Sequence, residues 1–340
     1  MVRAGSKLNN YYWEKPLVKK INPCLMPLAA GLCTLHVAHA NAQEFPVRPI
    51  RIIIPYAAGG GSDITTRIVQ AKATELLGQQ LIVDNRAGGG TLIGTRMVQA
   101  AAADGYTVGV MDPAFIVNPV LVRDAGYIAL KDFTPITLIT ATPLILVVHP
   151  SLPAKSVQEL VDHAKANPGK LNYGSPGDGS AGHLAIEQFR AHFSLKMTHV
   201  AYKGAGPAVT ALVAGEVPML LAGSGAVPFV QDGRLRGLAA TSTKRLASIP
   251  NVPTFAELGF AQVNVQTFAG LVAPAGVPAP AVKRPHAAFA GAAQTPDVRT
   301  RLEQLNQIPM GNTPTEFTTF LRENGTRLTQ VLRDAGLKPN

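Results

Sequence analysis

The sequence predicts an α/β fold, with parallel sheets covered by helices on both faces. Short apolar, β-branched runs, the first being Ile50-Arg51-Ile52-Ile53-Ile54, recur along the chain and alternate with stretches of helical apolar spacing. A strand buried on both faces reads as a continuous apolar run, and helices between such strands supply the cover. The junctions are glycine-rich: "AAGGGSD" (57–63), "NRAGGGTLIG" (85–94), "YGSPGDGSAGH" (173–183) and "YKGAGPA" (202–208) each follow a predicted strand and precede a predicted helix. With 46% hydrophobic and 15% charged residues, the chain has ample material for a core. Its 340 residues fit one large domain or two ordinary ones.

In chain order, strands are predicted at 50–55, 80–84, 106–111, 143–148, 171–174, 197–201, 217–221 and 235–241. Helical patterns fall at about 62–77, 90–102, 155–166, 181–193, 206–214 and 225–231. The segment 262–276 reads as a long strand ending in a turn, and helices follow at 278–291, 295–305 and 314–335. Two groups of strands with a return crossing near 262–270 imply two lobes joined by a two-strand hinge. Lobe 1 would be 43–142 plus 268–340 and lobe 2 would be 143–267, with a ligand crevice at the carboxyl ends of strands between them.

The N-terminus is of another kind. Lys7, Lys15, Lys19 and Lys20 precede a mildly apolar stretch from Cys24 to Val37 and the small-x-small sequence Ala40-Asn41-Ala42, the parts of a secretory signal peptide. The apolar stretch is too short for a permanent membrane span. Cleavage after Ala42 would remove both cysteines, Cys24 and Cys33, leaving no disulfide and no thiolate chemistry. It would also remove five of the 31 basic and one of the 21 acidic residues, so net charge falls from +10 to +6. The remaining Lys and Arg are scattered singly, the pattern of a soluble basic surface and not of a nucleic-acid groove.

The glycine loops invite a search for phosphate or dinucleotide chemistry, which fails. No Lys follows Gly59-Gly60-Gly61, and Gly59 to Ile64 does not fit G-x-G-x-x-G. No serine stands in a G-x-S-x-G elbow: Ser175, Ser180 and Ser224 have Tyr173, Asp178 and Ala222 two residues before them. A weaker enzyme reading would pair Ser175 or Ser180 with His183. The histidines show no metal-ligand spacing. What remains is recognition. N–H groups at helix N-termini, exposed by glycine, form an anion site without a cationic side chain, and Ser62, Asp63, Thr91 and Ser180 sit where N-caps belong. Each loop taken alone also reads as an ordinary strand-to-helix turn.

The chain resembles the Bug receptors, the substrate-binding proteins of tripartite tricarboxylate transporters, from about Phe45 to Leu337. The resemblance is carried in family order by "RPIRIIIPYAAGGGSD", "GQQLIVDNRAGGGTLIG", "ADGYT", "HPSLPAKSVQELVDHAKANPGKLNYGSPGDGSAGHLA", "VAYKGAGPAVTALVAGEV", "GRLRGLAATSTKR…IPNVPTFAELG" and "GLVAPAGVP". It implies a two-lobed periplasmic binding protein, monomeric, without cofactor or catalysis. Such a receptor closes over a small carboxylate and hands it to the membrane subunits of a transporter; a receptor serving a membrane sensor would need the same closing lobes. The family grips its ligand mainly through backbone amides of two loops, matching 57–63 and 175–180 here. The implied site set is Tyr56, Ala58, Gly59, Gly60, Gly61, Ser62 and Asp63 from the first lobe, and Ser175, Gly177, Gly179, Ser180 and His183 from the second. Tyr202, Lys203 and Phe268 complete it. Asp63 should turn toward its helix, since a free carboxylate would repel the ligand.

Several positions depart from the family. The stretch "MLLAGSG" (219–225) lacks an acid that many members carry, Phe268 stands where Trp is common, and Pro285 interrupts the helix 278–291. Asn324 and Leu328 replace a usual Glu and Trp. Asp112, at the end of the strand 106–111, stands where members have a small or neutral residue. It either starts the turn at Pro113 or meets an ammonium or hydroxyl group of the ligand.

Overall fold

The structure, a computed structural model, describes residues 45–337. The proposed signal peptide and both cysteines lie outside them. The first half runs β1 (Ile50–Ile54), α1 (Gly61–Leu77), β2 (Leu81–Asn85), α2 (Leu92–Gln99), β3 (Thr107–Met111), α3 (Pro113–Leu121), α4 (Ala129–Asp132) and β4 (Phe133–Thr142). A middle section follows with β5 (Ile145–Val148), α5 (Val157–Ala166), β6 (Asn172–Ser175), α6 (Ala181–Phe193), β7 (Thr198–Ala201), α7 (Ala205–Val213), β8 (Met219–Ala222), α8 (Val227–Gln231) and β9 (Arg236–Ala240). The chain ends with β10 (Thr267–Pro274), α9 (Ala279–Gln294), α10 (Pro296–Gln304), β11 (Ile308–Pro309) and α11 (Pro314–Asp334).

The main sheet has the order β11-β4-β10-β3-β1-β2. Its strands show why the apolar runs are continuous. Ile50, Ile52 and Ile54 pack with Val69, Ala73 and Leu77 of α1 and Phe289 of α9, while Ile53 points the other way, to Val98, Met111, Phe115 and Phe317. Both faces are buried, so the strand is apolar at every position but Arg51, which is half-buried and pairs with Asp84 of β2. The middle section repeats the device: Leu146 and Val148 of β5 face α5 and α6, whereas Ile145 and Val147 face α7. There, β8-β5-β9 form one sheet and β6-β7 another. The C-terminal α11 packs on α3, β4 and α6, so it ties the main sheet to the middle section.

Four expectations from sequence need correction. The sheets are parallel only in part: β1 is parallel to β2 and β3, and β6 to β7, but β10 runs antiparallel to β3 and β4, and β5 antiparallel to β8 and β9. Apolar runs reveal burial but not direction. Strand β4 and helix α3 were not foreseen; β4 contains Pro135, and α3 opens on Pro113, read as a turn although proline suits the first helical position. The long strand begins at Thr267, not at 262. Finally, α9 continues through Pro285, which is buried among Ala281, Ala288 and Phe289; packing offsets the missing hydrogen bond.

Candidate functional site

Three helix N-termini meet at one cavity of about 290 Å³. Gly60, Gly61 and Ser62 open α1, Ser180, Ala181 and Gly182 open α6, and Ala205 and Gly206 open α7; all eight line it. First-turn N–H groups have no acceptor within their own helix, and the dipole adds partial positive charge there. The loops approach closely because glycine lets them: Ala57 N–H donates to Lys203 O at 3.4 Å, and a Cβ on Gly206 would lie 3.4 Å from Gly59 O. Gly59 itself has φ +80°, the left-handed region that favours glycine.

The caps differ from expectation. The α1 N-cap is Gly60, which leaves Ser62 and Asp63 in the first turn; Thr91 precedes α2 in a left-handed conformation with no side-chain cap bond. Ser180 does cap α6, accepting from His183 N–H, and its hydroxyl donates to Gly177 O at 2.7 Å. Asp63 is buried away from the cavity. Burial raises its pKa, but hydrogen bonds from Arg67, the Gly59 N–H and Asn85 outweigh this and hold the carboxyl below its usual range.

Most of the rest of the wall is neutral. Thr140, Thr142 and Leu144 come from the end of β4 and its successor, Leu220 to Gly225 from β8 and the turn after it, Phe229 from α8, and Thr267, Phe268 and Ala269 from β10. Gln307 accepts from the Thr65 hydroxyl at 2.8 Å and donates to Ser224 Oγ at 3.3 Å, bridging α1 to the turn after β8. Apart from Tyr56, Asp112 is the one ionisable residue in the wall among the described residues. It N-caps α3 through the Ala114 N–H (3.0 Å) and receives the Tyr56 hydroxyl at 2.6 Å. Burial pushes its carboxyl up to about 6 against those two hydrogen bonds, and pushes the Tyr56 phenol up as well, helped by the neighbouring Asp112.

Of the residues named from sequence, the cavity thus brings together Tyr56, Gly59, Gly60, Gly61, Ser62, Asp112, Ser180 and Phe268. Ala58, Asp63, Ser175, Gly177, Gly179, His183, Tyr202 and Lys203 lie off its wall. From the loop 202–208 it is Ala205 and Gly206 that line the cavity, findable as the residues opening a helix. Gln307, Thr140 and Ser224 carried no local signal.

His183 and Ser175 belong to a second cluster behind α6. The imidazoles of His183 and His199 stack at 4.1 Å and 6°, with Tyr173 stacked on His199 at 4.9 Å; Tyr173 donates to Glu187, itself held by Arg190. Ser175 Oγ lies 2.6 Å from His199 Nε2, and His199 Nδ1 lies 3.4 Å from Asp178. The order resembles a Ser-His-Asp triad, but Ser175 is 0% exposed and its oxygen accepts the Gly177 N–H, so no substrate reaches it. Asp178, His183 and His199 bring ligand atoms within 4.8 Å of one another, yet parallel stacked rings cannot both aim in-plane lone pairs at one ion.

The family "Tripartite tricarboxylate transporter family receptor" matches residues 65–337. The chain belongs to this receptor family. The receptor is 32% identical over 304 residues to Protein BugT of Bordetella pertussis, spanning 88% of this chain and 93% of BugT. Two solved Rhodopseudomonas palustris proteins are each 30% identical. One, described with adipate, superposes with a TM-score of 0.83 over 87% of this chain and 100% of its own. The other, MatC with bound malate, gives 0.82 over 85% and 100%. The receptor therefore has the two-lobed α/β fold of periplasmic binding proteins.

Proposed function

We propose that this receptor is exported, with cleavage after Ala42, and captures a small organic carboxylate between lobes 43–142 plus 268–340 and 143–267, delivering it to membrane subunits of a transporter. One observation carries the reading: three helix N-termini from both lobes converge on a cavity whose wall, among the described residues, holds no Lys, Arg or His. Such a site attracts an anion yet uses peptide groups to hold it. The adipate and malate seen in relatives support the ligand class. The proposed boundaries fall where β4 ends at Thr142 and β10 begins at Thr267, and the two strands pair there, as a hinge would. No helix among the described residues is long and apolar enough to cross a membrane. Acting as a monomer without cofactor, the receptor would return its ligand unchanged.

A thermal-shift screen of organic acids tests this. A true ligand at about 100 times its dissociation constant should stabilise the fold by roughly 2.7 kcal/mol. If no organic acid moves the unfolding midpoint, or if a bound acid is recovered chemically altered, the reading fails.

A further inference from the structure

The cavity joins the anion seat to groups of another kind. Leu144, Val209, Leu221, Phe229 and Phe268 supply apolar surface to its wall. The threonines Thr142 and Thr267 offer neutral hydroxyls, suited to a hydroxyl on the ligand. The one charge-bearing carboxyl in the wall, Asp112, is 5% exposed and fixed from two sides, by the Tyr56 hydroxyl and the Ala114 N–H, so it cannot swing away from an incoming group. Among the described residues, no cation in the wall stands ready to meet a second carboxylate.

We propose that Asp112 and this apolar wall make the receptor selective for monocarboxylates with an apolar body of aromatic size, and that Asp112 rejects dicarboxylates. The proposal rests on reading the cavity as a carboxylate site. Its volume of about 290 Å³ leaves room for a substituted ring and its carboxylate. A ligand's second carboxylate would have to give up its water against leucine and phenylalanine side chains. It would also face the Asp112 charge in a site with little water to screen it. Selectivity by an unfavourable contact is the economical route here, because the anion seat grips any carboxylate equally. A ring bearing a hydroxyl or amino group would meet Asp112 as a donor and gain from the same residue.

Calorimetric titration of the whole receptor with benzoate, phenylacetate, 4-hydroxybenzoate, adipate and malate tests the proposal. At least one aromatic monocarboxylate should bind tenfold or more tightly than either dicarboxylate. Asp112→Asn, which preserves a good N-cap, should narrow that ratio by about tenfold through tighter dicarboxylate binding. Tighter binding of adipate or malate by the unaltered receptor overturns the proposal without touching the carboxylate reading, and it needs no variant to fold. An unchanged ratio in Asp112→Asn removes Asp112 from the selection and overturns the proposal too. Binding of none of the five, with other organic acids also silent, sinks the carboxylate reading and this proposal with it.

Discussion

Replacing Gly60 by valine should weaken ligand binding severely while leaving the fold nearly untouched. The residue sits at φ −78° and ψ 168°, extended backbone in which a β-branched side chain is at ease. An added Cβ would lie 3.4 Å from Ala57 O, 3.8 Å from Ala205 N and 4.0 Å from Gly206 N, all ordinary contacts. A methyl therefore fits, but the two γ-carbons of valine extend the group into the space between the N-termini of α1 and α7. Stability should fall by about 1 kcal/mol, the loss of glycine's modest N-cap preference. Binding loses the N–H groups that the side chain screens. Two charge-assisted hydrogen bonds at roughly 1.5–3 kcal/mol each amount to about 3–6 kcal/mol, or roughly 10² to 10⁴ in dissociation constant. Gly60→Ala, stopping at the Cβ, should cost less than about tenfold. Calorimetric titration beside a denaturant midpoint for each variant separates the two effects. If Gly60→Val binds as the unaltered receptor does, the seat does not lie between these helices.

Ser180→Ala should cost about 1 kcal/mol of stability, because that hydroxyl already caps α6 and serves Gly177, whereas Ser62→Ala should leave the midpoint unchanged and weaken binding by roughly 0.5–1.5 kcal/mol; the reverse assignment would refute the reading of both. Gly270→Ala would place a Cβ 2.2 Å from the Phe317 ring, so urea unfolding should show a loss of about 1–3 kcal/mol, and an unaffected midpoint would mean that α11 is free to move off the sheet. On acidification, burial and the adjacent His199 hold His183 down to about 4, so the unfolded chain protonates first and stability falls between about pH 6.5 and 4; burial holds Asp112 up to about 6, so the folded chain protonates first and stability is regained between about pH 6 and 4. Removing the second effect with Asp112→Asn should make the acid loss steeper by about 3 kcal/mol over that window, measured by denaturant unfolding at fixed pH values, and parallel profiles would show that Asp112 does not titrate there.

Much of the fold was legible because its signals are local. Ile50 to Ile54 is apolar at four of five positions because both faces of the strand are buried, and the glycine turns mark helix starts whatever packs against them. What escaped depends on partners far away in the chain. β4 was passed over although it pairs along its length with β10, its neighbour across more than a hundred residues, and strand direction in β8-β5-β9 leaves no trace in composition. The site divides in the same way. Gly59 to Ser62 were found from their own turn, while Gln307 was invisible because its partners, Thr65 and Ser224, lie 242 and 83 residues away in the chain. His183 looked like part of the ligand loop because it follows Ser180 by three residues; one turn along α6, it packs on His199 in the second cluster instead.

A seat made of peptide N–H groups has no pKa. Its attraction for a carboxylate stays constant across any pH at which the fold survives, so the pH dependence of capture would come from the cargo and from Asp112 and not from the seat. Away from the glycines that keep the loops open, it is also hard to lose by point substitution, since every residue except proline supplies the same N–H. Mutations can therefore remodel Val209, Phe229, Phe268 or Asp112, and with them the body of the accepted molecule, while the handle by which it is held persists. Nutrient range could drift in this way without passing through receptors that bind nothing.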